Sequence, residues 1–221
     1  MRSRLLLLLS ALLMIAALYM VLIYAPTDVE TGIIQRIFYF HVPVAWVAFL
    51  SFFLVFLGGI LYLWKQDKKW DIFAASSAEI GVVFTTLVLI SGSIWARPVW
   101  GVWWTWDPRL TTALVLWLIY IAYFIVRSYL AENEQRQARF AAIIGIIGFL
   151  DVPIVALAIT LSRTLHPSPV IFEGGLSPEM YATLVVSILA FTSLYLLLLT
   201  ERISIGYVDE EIKRLKRLVR R

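Results

Sequence analysis

The sequence predicts an all-α integral membrane protein with six transmembrane helices. Hydrophobic residues make up 61% of its 221 residues and charged residues 15%, whereas a soluble domain averages about 45–50% and about 25%. The apolar segments are long and continuous, which indicates helices rather than the short alternating strands of a barrel. Cysteine is absent, which excludes disulfides, thiolate metal sites, cysteine nucleophiles and thioether-linked cofactors.

Each predicted span is long enough to cross roughly 30 Å of hydrocarbon. The first follows a basic start, MRSR, and its apolar run is too long for a typical signal peptide, so we expect a transmembrane helix there. Short connections join the spans, which predicts one six-helix domain over residues 1–199. The predicted spans are Leu5–Tyr24, Val44–Trp64, Ser76–Trp95, Leu110–Val126, Phe140–Leu161 and Met180–Leu199.

The distribution of lysine and arginine predicts that both termini are cytoplasmic. If the termini share one side, that side carries all but four of the 19 Lys and Arg residues. Residues 200–221 are expected to form a basic amphipathic cytoplasmic tail that lies on the anionic inner leaflet or binds a cytoplasmic partner. The basic loops account for the positive net charge, so we expect contact with the lipid bilayer and none with nucleic acid. The four residues on the outer side are Arg36, Arg97, Arg109 and Arg163.

Tryptophan is concentrated in the predicted outer connection between the third and fourth spans, within ARPVWGVWWTWDPRLTT (Ala96–Thr112). On a helical wheel, its tryptophans and Asp107 share one arc of roughly 160°, with Arg109 opposite. An interfacial aromatic belt explains one or two tryptophans per helix end, so this density favours a flat platform for a large planar ligand. Asp107 followed by Pro108 is also typical of a helix start. The tryptophans are Trp100, Trp103, Trp104 and Trp106.

The sequence contains two histidines, and both are predicted on the tryptophan side. His41 ends the first outer loop in FYFHVPVAW, and His166 lies in the third outer loop in SRTLHPSPVIF. A single histidine at a membrane edge is usually an interfacial polar residue. Two that bracket an aromatic platform point instead to axial ligands of haem iron. The nearby Arg97, Arg109 and Arg163 are candidates to pair with haem propionates, or to anchor their helices at the interface.

Two carboxylates fall inside the predicted spans. Glu79 is expected near the interface. Asp151 lies two residues before Pro153, where we expect a kink. Its side chain either stays protonated and bonds the backbone, or links to the haem site or a partner helix.

These segments resemble a known family. WGVWWTWDPRLT resembles the tryptophan-rich WWD signature of the haem-handling proteins of cytochrome c biogenesis, and FYFHVPVAW and SRTLHPSPV resemble the histidine segments that accompany it. The length and the six spans are similar to the CcmC branch. The resemblance runs from about Gln35 to Leu199.

The resemblance implies a haem chaperone and not an enzyme. In that family the WWD segment, here with Asp107, holds haem b at the outer (periplasmic) face of the bacterial inner membrane. His41 and His166 would be the axial ligands. The haem passes to a periplasmic chaperone of the CcmE type, and the family works with the CcmA/CcmB ABC transporter and the small membrane protein CcmD. No G-x-x-x-x-G-K-[ST] run occurs, so ATP hydrolysis is expected in a partner.

Three other functions would make different demands on the sequence. A bis-histidine electron-transfer cytochrome usually places its histidines within facing helices. A haem-exporting permease subunit needs polar or small residues along several helices. A structural subunit with an aromatic docking patch would not bind haem at all.

Overall fold

The structure is a computed structural model that describes residues 2–161 and 174–219. Within these ranges the chain forms seven α-helices, and six helical segments are long and apolar enough to cross a membrane. The fifth of these segments consists of α5 and α6 together. The helices are α1 (Arg2–Tyr19), α2 (Phe38–Lys65), α3 (Lys68–Trp100), α4 (Pro108–Tyr129), α5 (Glu134–Phe149), α6 (Asp151–Leu161) and α7 (Pro178–Val219).

Helices α2 and α3 form the centre of the bundle, and α1 packs against α7. Close approach of the helices depends on glycines, as in many membrane bundles. A Cβ at Gly81 of α3 would lie 2.6 Å from the Phe52 ring of α2, and one at Gly145 of α5 would lie 2.7 Å from Val55. The Phe52 ring stacks on Tyr120 of α4 with 3.7 Å between ring centroids. Small residues on α3 and α5 thus let α2 contact both helices.

Ion pairs join the helices at the end of the bundle where α2 ends and α3 begins, which we call the basic end. Arg127 of α4 pairs with the buried Asp71 of α3 at 2.5 Å. Arg202 of α7 pairs with Glu79 of α3, so Glu79 is bound by a neighbouring helix. Ser3 donates to Glu201, which brings the start of α1 to the same end. The connection between α3 and α4 lies at the other end, the tryptophan end.

The fifth span is broken, as the sequence predicted. Helix α5 ends at Phe149, Leu150 forms a turn, and α6 begins at Asp151. Pro153 lacks the N–H that would continue the helix, which accounts for the break. The Asp151 Oδ2 atom is buried and accepts no hydrogen bond within the described ranges. The backbone bond expected for this carboxyl group is therefore not made by that oxygen.

The last helix passes through the predicted boundary at residue 200 without interruption. Helix α7 contains 42 residues, a length of about 63 Å, whereas the hydrocarbon layer is about 30 Å thick. Its C-terminal turns therefore extend beyond the apolar layer. Arg217 on this extension pairs with Glu134 at 2.6 Å. The division into residues 1–199 and 200–221 stays a prediction, and the amphipathic tail continues α7.

Candidate functional site

A cavity opens among α2, α3 and α4 at the tryptophan end. It has about 970 Å³ of empty space when the open solvent at its mouth is included. Most of its lining is aliphatic or aromatic. The charged or polar side chains in its wall include Thr31, His41, Thr85, Ser93 and Arg109. Such a lining suits an apolar ligand that also carries a few polar groups.

His41 lies in the wall with a defined ring orientation. Its Nδ1 atom is 2.8 Å from Ser91 Oγ, and Ser91 Oγ is 2.6 Å from the carbonyl oxygen of Leu87. When the Ser91 hydroxyl donates to the Leu87 carbonyl, the serine oxygen accepts from His41 Nδ1. In that arrangement Nδ1 carries the proton and the lone pair of the neutral ring is on Nε2, which is the tautomer in which imidazole coordinates a metal through Nε2.

Two neighbours hold the His41 ring from the side of α3. A Cβ at Gly92 would lie 3.3 Å from His41 Cε1, so glycine leaves just enough room for the ring. The Trp95 ring stands edge-on to the imidazole with 5.9 Å between centroids. Trp95 also lines the cavity, and its buried Nε1 atom has no hydrogen-bond partner among the described residues. A buried donor of this kind favours a ligand that accepts a hydrogen bond.

The sequence predicted that His41 ends an outer loop, but the residue lies in a helix. A 3₁₀ turn over Ile33–Ile37 leads directly into α2, which begins at Phe38, so His41 lies in the first turns of that helix. Pro43 lies inside this helix, where it has no N–H to donate to the Tyr39 carbonyl. The span predicted to begin at Val44 therefore begins earlier, and its first turns carry the histidine.

The four tryptophans do not share one helical face. Trp100 ends α3, because Gly101 adopts a left-handed φ of 77° and its N–H caps the Arg97 carbonyl. Residues 101–107 are then non-helical, so the helical-wheel prediction of a single platform was wrong. Trp100 lines the cavity. Trp103 and Trp106 are 59% and 75% exposed.

Trp104 is half-buried and packs edge-on against Trp106, with 5.8 Å between ring centroids. Its Nε1 atom is buried and has no partner in the described part of the chain. The tryptophan segment therefore presents two exposed rings beside two that turn inward. This arrangement offers both a ligand wall and an outer surface.

The arginines predicted for the site differ in placement. Arg109 lies in the cavity wall, half-buried. It forms no ion pair in the ranges that the structure describes. Arg97 is exposed and donates to the Gly101 carbonyl at the end of its own helix, outside the cavity lining. Asp107 is buried and caps α4, with its Oδ1 atom 2.9 Å from the Arg109 backbone nitrogen. The predicted helix start at Asp107 and Pro108 is confirmed.

His166 and Arg163 lie outside the described residues. Thr31, Ser91 and Gly92 were not identified from the sequence, because a serine or glycine within an apolar span gives no signal of a role. Thr31 is held at the cavity by Asp28, whose Oδ1 atom accepts from the Thr31 backbone nitrogen at 2.6 Å and from its hydroxyl at 2.8 Å. The Thr31 backbone hydrogen bond lowers the pKa of Asp28.

Fold and site together define a multi-pass helical membrane protein with an apolar cavity whose described lining includes an imidazole and an arginine. The family model described as "CcmC: Heme exporter protein C" matches residues 2–218. The chain belongs to this heme exporter protein C family. The names given to its members refer to heme export and to cytochrome c biosynthesis.

Individual relatives agree with the family match. A ccmC-like mitochondrial protein of cytochrome c biosynthesis from Marchantia polymorpha is 32% identical over 181 residues, 82% of this chain and 76% of that protein. Heme exporter protein C of Bradyrhizobium diazoefficiens is 34% identical over 177 residues, 79% of this chain and 67% of that protein. The Escherichia coli K12 protein of the same name is 35% identical over 169 residues, which are 76% of this chain and 68% of that protein.

Proposed function

We propose that this protein binds haem b in the cavity at the tryptophan end and presents it at the periplasmic face of the bacterial inner membrane. His41 Nε2 is one axial ligand of the iron, and His166 is the second. The haem is cargo that passes to a periplasmic chaperone of the CcmE type. The protein is a non-catalytic subunit.

The observation that carries this proposal is the 2.8 Å hydrogen bond between His41 Nδ1 and Ser91 Oγ at the wall of an apolar cavity. Metal-binding histidines almost always donate their second ring N–H to a fixed acceptor, which sets the tautomer and the ring orientation. Ser91 serves as such an acceptor when its own proton goes to Leu87. In that tautomer Nε2 is the iron-binding atom of the proposal.

The rest of the cavity fits the chemistry of a porphyrin. Its aliphatic walls suit the apolar macrocycle, and Trp100 gives it an aromatic surface. We assign Arg109, in the cavity wall, to a propionate, which accepts charge-assisted hydrogen bonds from a guanidinium group. Asp107 positions Arg109 by capping the first turn of α4. Arg163 is a second propionate partner, whereas Arg97 acts mainly at the end of α3.

The exposed part of the tryptophan segment serves the transfer step. Trp103 and Trp106 present large apolar rings on the surface, and aromatic residues of this kind are frequent anchors in protein interfaces. We assign them to docking of the CcmE-type acceptor, with Trp104 packed behind Trp106. The CcmA/CcmB ABC transporter hydrolyses the ATP, and CcmD is a further membrane partner.

Haem binding is tested by the visible absorption spectrum and haem content of the purified full-length protein. We expect the parent to bind haem, and His41→Ala and His166→Ala each to reduce occupancy or shift the Soret band. Phe40→Ala is the control, since Phe40 is next to His41 and packs on Phe191. A parent that binds no supplied haem, or a His41→Ala variant with unchanged spectrum and occupancy, refutes the proposal.

Transfer is tested by mixing the loaded protein with a soluble CcmE-type domain and following haem in the separated components. Movement of haem to that domain, slowed in Trp103→Ala and Trp106→Ala, supports the chaperone role. Haem that stays on the membrane protein and cycles between redox states with a quinol favours the electron-transfer cytochrome instead. Transport of haem across the membrane of sealed vesicles that contain only this protein favours a permease.

Orientation is tested with single cysteines, because the chain has no cysteine of its own. Val102→Cys lies in the tryptophan segment and Ala131→Cys at the basic end, and both positions are exposed. A membrane-impermeant maleimide added to intact spheroplasts should label Val102→Cys alone. Labelling of Ala131→Cys alone would show that the protein has the opposite orientation.

A further inference from the structure

A second cavity, remote from the haem site, lies at the basic end between the end of α2 and the first turns of α5. It is an open groove with about 1,170 Å³ of empty space, open solvent included. Two arginines and three side-chain amides form its polar part, and two aliphatic side chains form the rest. The lining residues are Leu63, Gln66, Asn133, Gln135, Arg136, Arg139 and Ile143.

The positive charge in this groove is not neutralised by the protein. No carboxylate is among the residues that line it, and neither Arg136 nor Arg139 forms an ion pair in the described ranges. Their neighbour Glu134 is paired with Arg217 of α7. Both arginines are exposed. Two guanidinium groups without a counter-ion form a site for an anion.

Two of the three amides of the groove help to hold its shape. Gln66 Nε2 donates to the Leu63 carbonyl at 2.9 Å, which closes the end of α2. Asn133 Oδ1 accepts from the Arg136 backbone nitrogen at 3.0 Å and caps α5. The two arginines are the charged donors for a ligand, since guanidinium binds phosphate oxygens in a bidentate manner.

The lower part of the groove is apolar. Arg136, Arg139 and Ile143 are spaced three and four residues apart, which puts them on one face of α5, with Ile143 one turn deeper in the bundle. Ile143 is 38% exposed. Trp64, next to Leu63, is 76% exposed, as is typical of an aromatic side chain at the membrane interface. The arginines at the rim and the apolar surface deeper in the bundle match the headgroup and acyl chains of a lipid and not a soluble ion.

We propose that this groove binds the phosphate-bearing headgroup of an anionic phospholipid. Arg136 and Arg139 contact the phosphate, and the acyl chains lie along Leu63 and Ile143. Basic pockets between transmembrane helices commonly bind anionic headgroups in this way. The site is independent of haem binding and of the tryptophan segment.

The test uses the full chain with Ala131→Cys carrying a fluorophore, two residues before Asn133. The protein is reconstituted in phosphatidylcholine vesicles with increasing fractions of brominated phosphatidylglycerol, which quenches nearby fluorophores. We expect saturable quenching at low lipid fractions. Replacing both arginines, as Arg136→Gln with Arg139→Gln, should weaken it about 30-fold, since each basic residue near an anionic surface contributes about a fivefold factor.

The matched control is Arg4→Gln with Lys69→Gln, which removes the same charge from exposed positions outside the groove and outside the basic tail. This control should bind phosphatidylglycerol like the parent, and Arg136→Lys with Arg139→Lys should lose less binding than the double glutamine variant. Circular dichroism confirms folding of each variant. Unchanged quenching in the double glutamine variant overturns the proposal, as does an equal loss in the matched control. Displacement of the lipid by millimolar glycerol phosphate would assign the site to soluble anions and also overturn it.

Discussion

Replacing Ser91 with alanine removes the acceptor that fixes the His41 ring. The bond from Nδ1 to Ser91 Oγ is 2.8 Å long, and a neutral bond of this kind contributes about 0.5–1.5 kcal/mol. Mutating the group that accepts a hydrogen bond from a metal-bound histidine typically changes metal affinity by about 10–100-fold. If His41 binds haem iron, the Kd for haem should rise by about tenfold, because the ring loses both its preferred tautomer and its orientation. The assay is a haem titration of the detergent-purified protein, followed at the Soret band.

The matched control for this substitution is Ser93→Ala. Ser93 lies on the same helix, lines the same cavity and bonds the carbonyl four residues before it, Leu89, at 2.9 Å. It has no hydrogen bond to His41 in the structure. The control should bind haem within about twofold of the parent. Equal affinity in the parent and Ser91→Ala, or an equal loss in Ser93→Ala, would refute the assignment of Ser91 to the His41 ring.

Three further outcomes are expected. Gly92→Ala brings a Cβ to 3.3 Å from His41 Cε1 and should therefore weaken haem binding. The thermal midpoint of unfolding should stay the same or rise, since alanine favours helix over glycine by about 1 kcal/mol. A lowered midpoint with unchanged haem affinity would contradict this. Arg127→Gln leaves the buried Asp71 carboxylate with Lys68, at 3.0 Å, as its remaining ion-pair partner among the described residues, and should destabilise the fold by about 1.5–3 kcal/mol in a denaturant titration, whereas the exposed Lys213→Gln should have no measurable effect. Because hydrogen bonding lowers the pKa of Asp28 below its ordinary 3.8, its stabilising bonds are present above that pH and are lost as pH falls through the lowered pKa. Asp28→Asn should therefore reduce the acid dependence of the thermal midpoint below about pH 4, and an unchanged profile would count against this role.

The number of spans followed from the sequence because hydrophobic length is a local property. Each apolar run has to cover the same hydrocarbon thickness, whatever its neighbours are. The break at Leu150 was likewise indicated by Pro153, whose missing N–H acts on its own helix. Helix ends were less predictable. Residues 200–219 continue α7 and do not form a separate element, since nothing at residue 200 interrupts the backbone hydrogen bonds.

The candidate site was predictable by residue type but not by geometry. The density of tryptophan and the presence of His41 and Arg109 were visible in the sequence, and the structure places Trp100, His41 and Arg109 around one cavity. The arc drawn on a helical wheel failed because Gly101 ends α3 in a left-handed conformation. A wheel assumes continuous helix, and one glycine at a positive φ removes that assumption.

The sequence by itself determined that this is a helical membrane protein, which face carries most of its basic charge, and which family it resembles. These properties depend on composition, on the length of apolar runs and on a short tryptophan motif. The tertiary structure alone decided that Ser91 bonds His41, 50 positions earlier in the chain, and that Gly92 leaves room for its ring. It also decided that Arg136 and Arg139 face a groove closed by the end of α2. Contacts between helices depend on how their faces are rotated against each other, and that rotation is set by packing across the whole bundle.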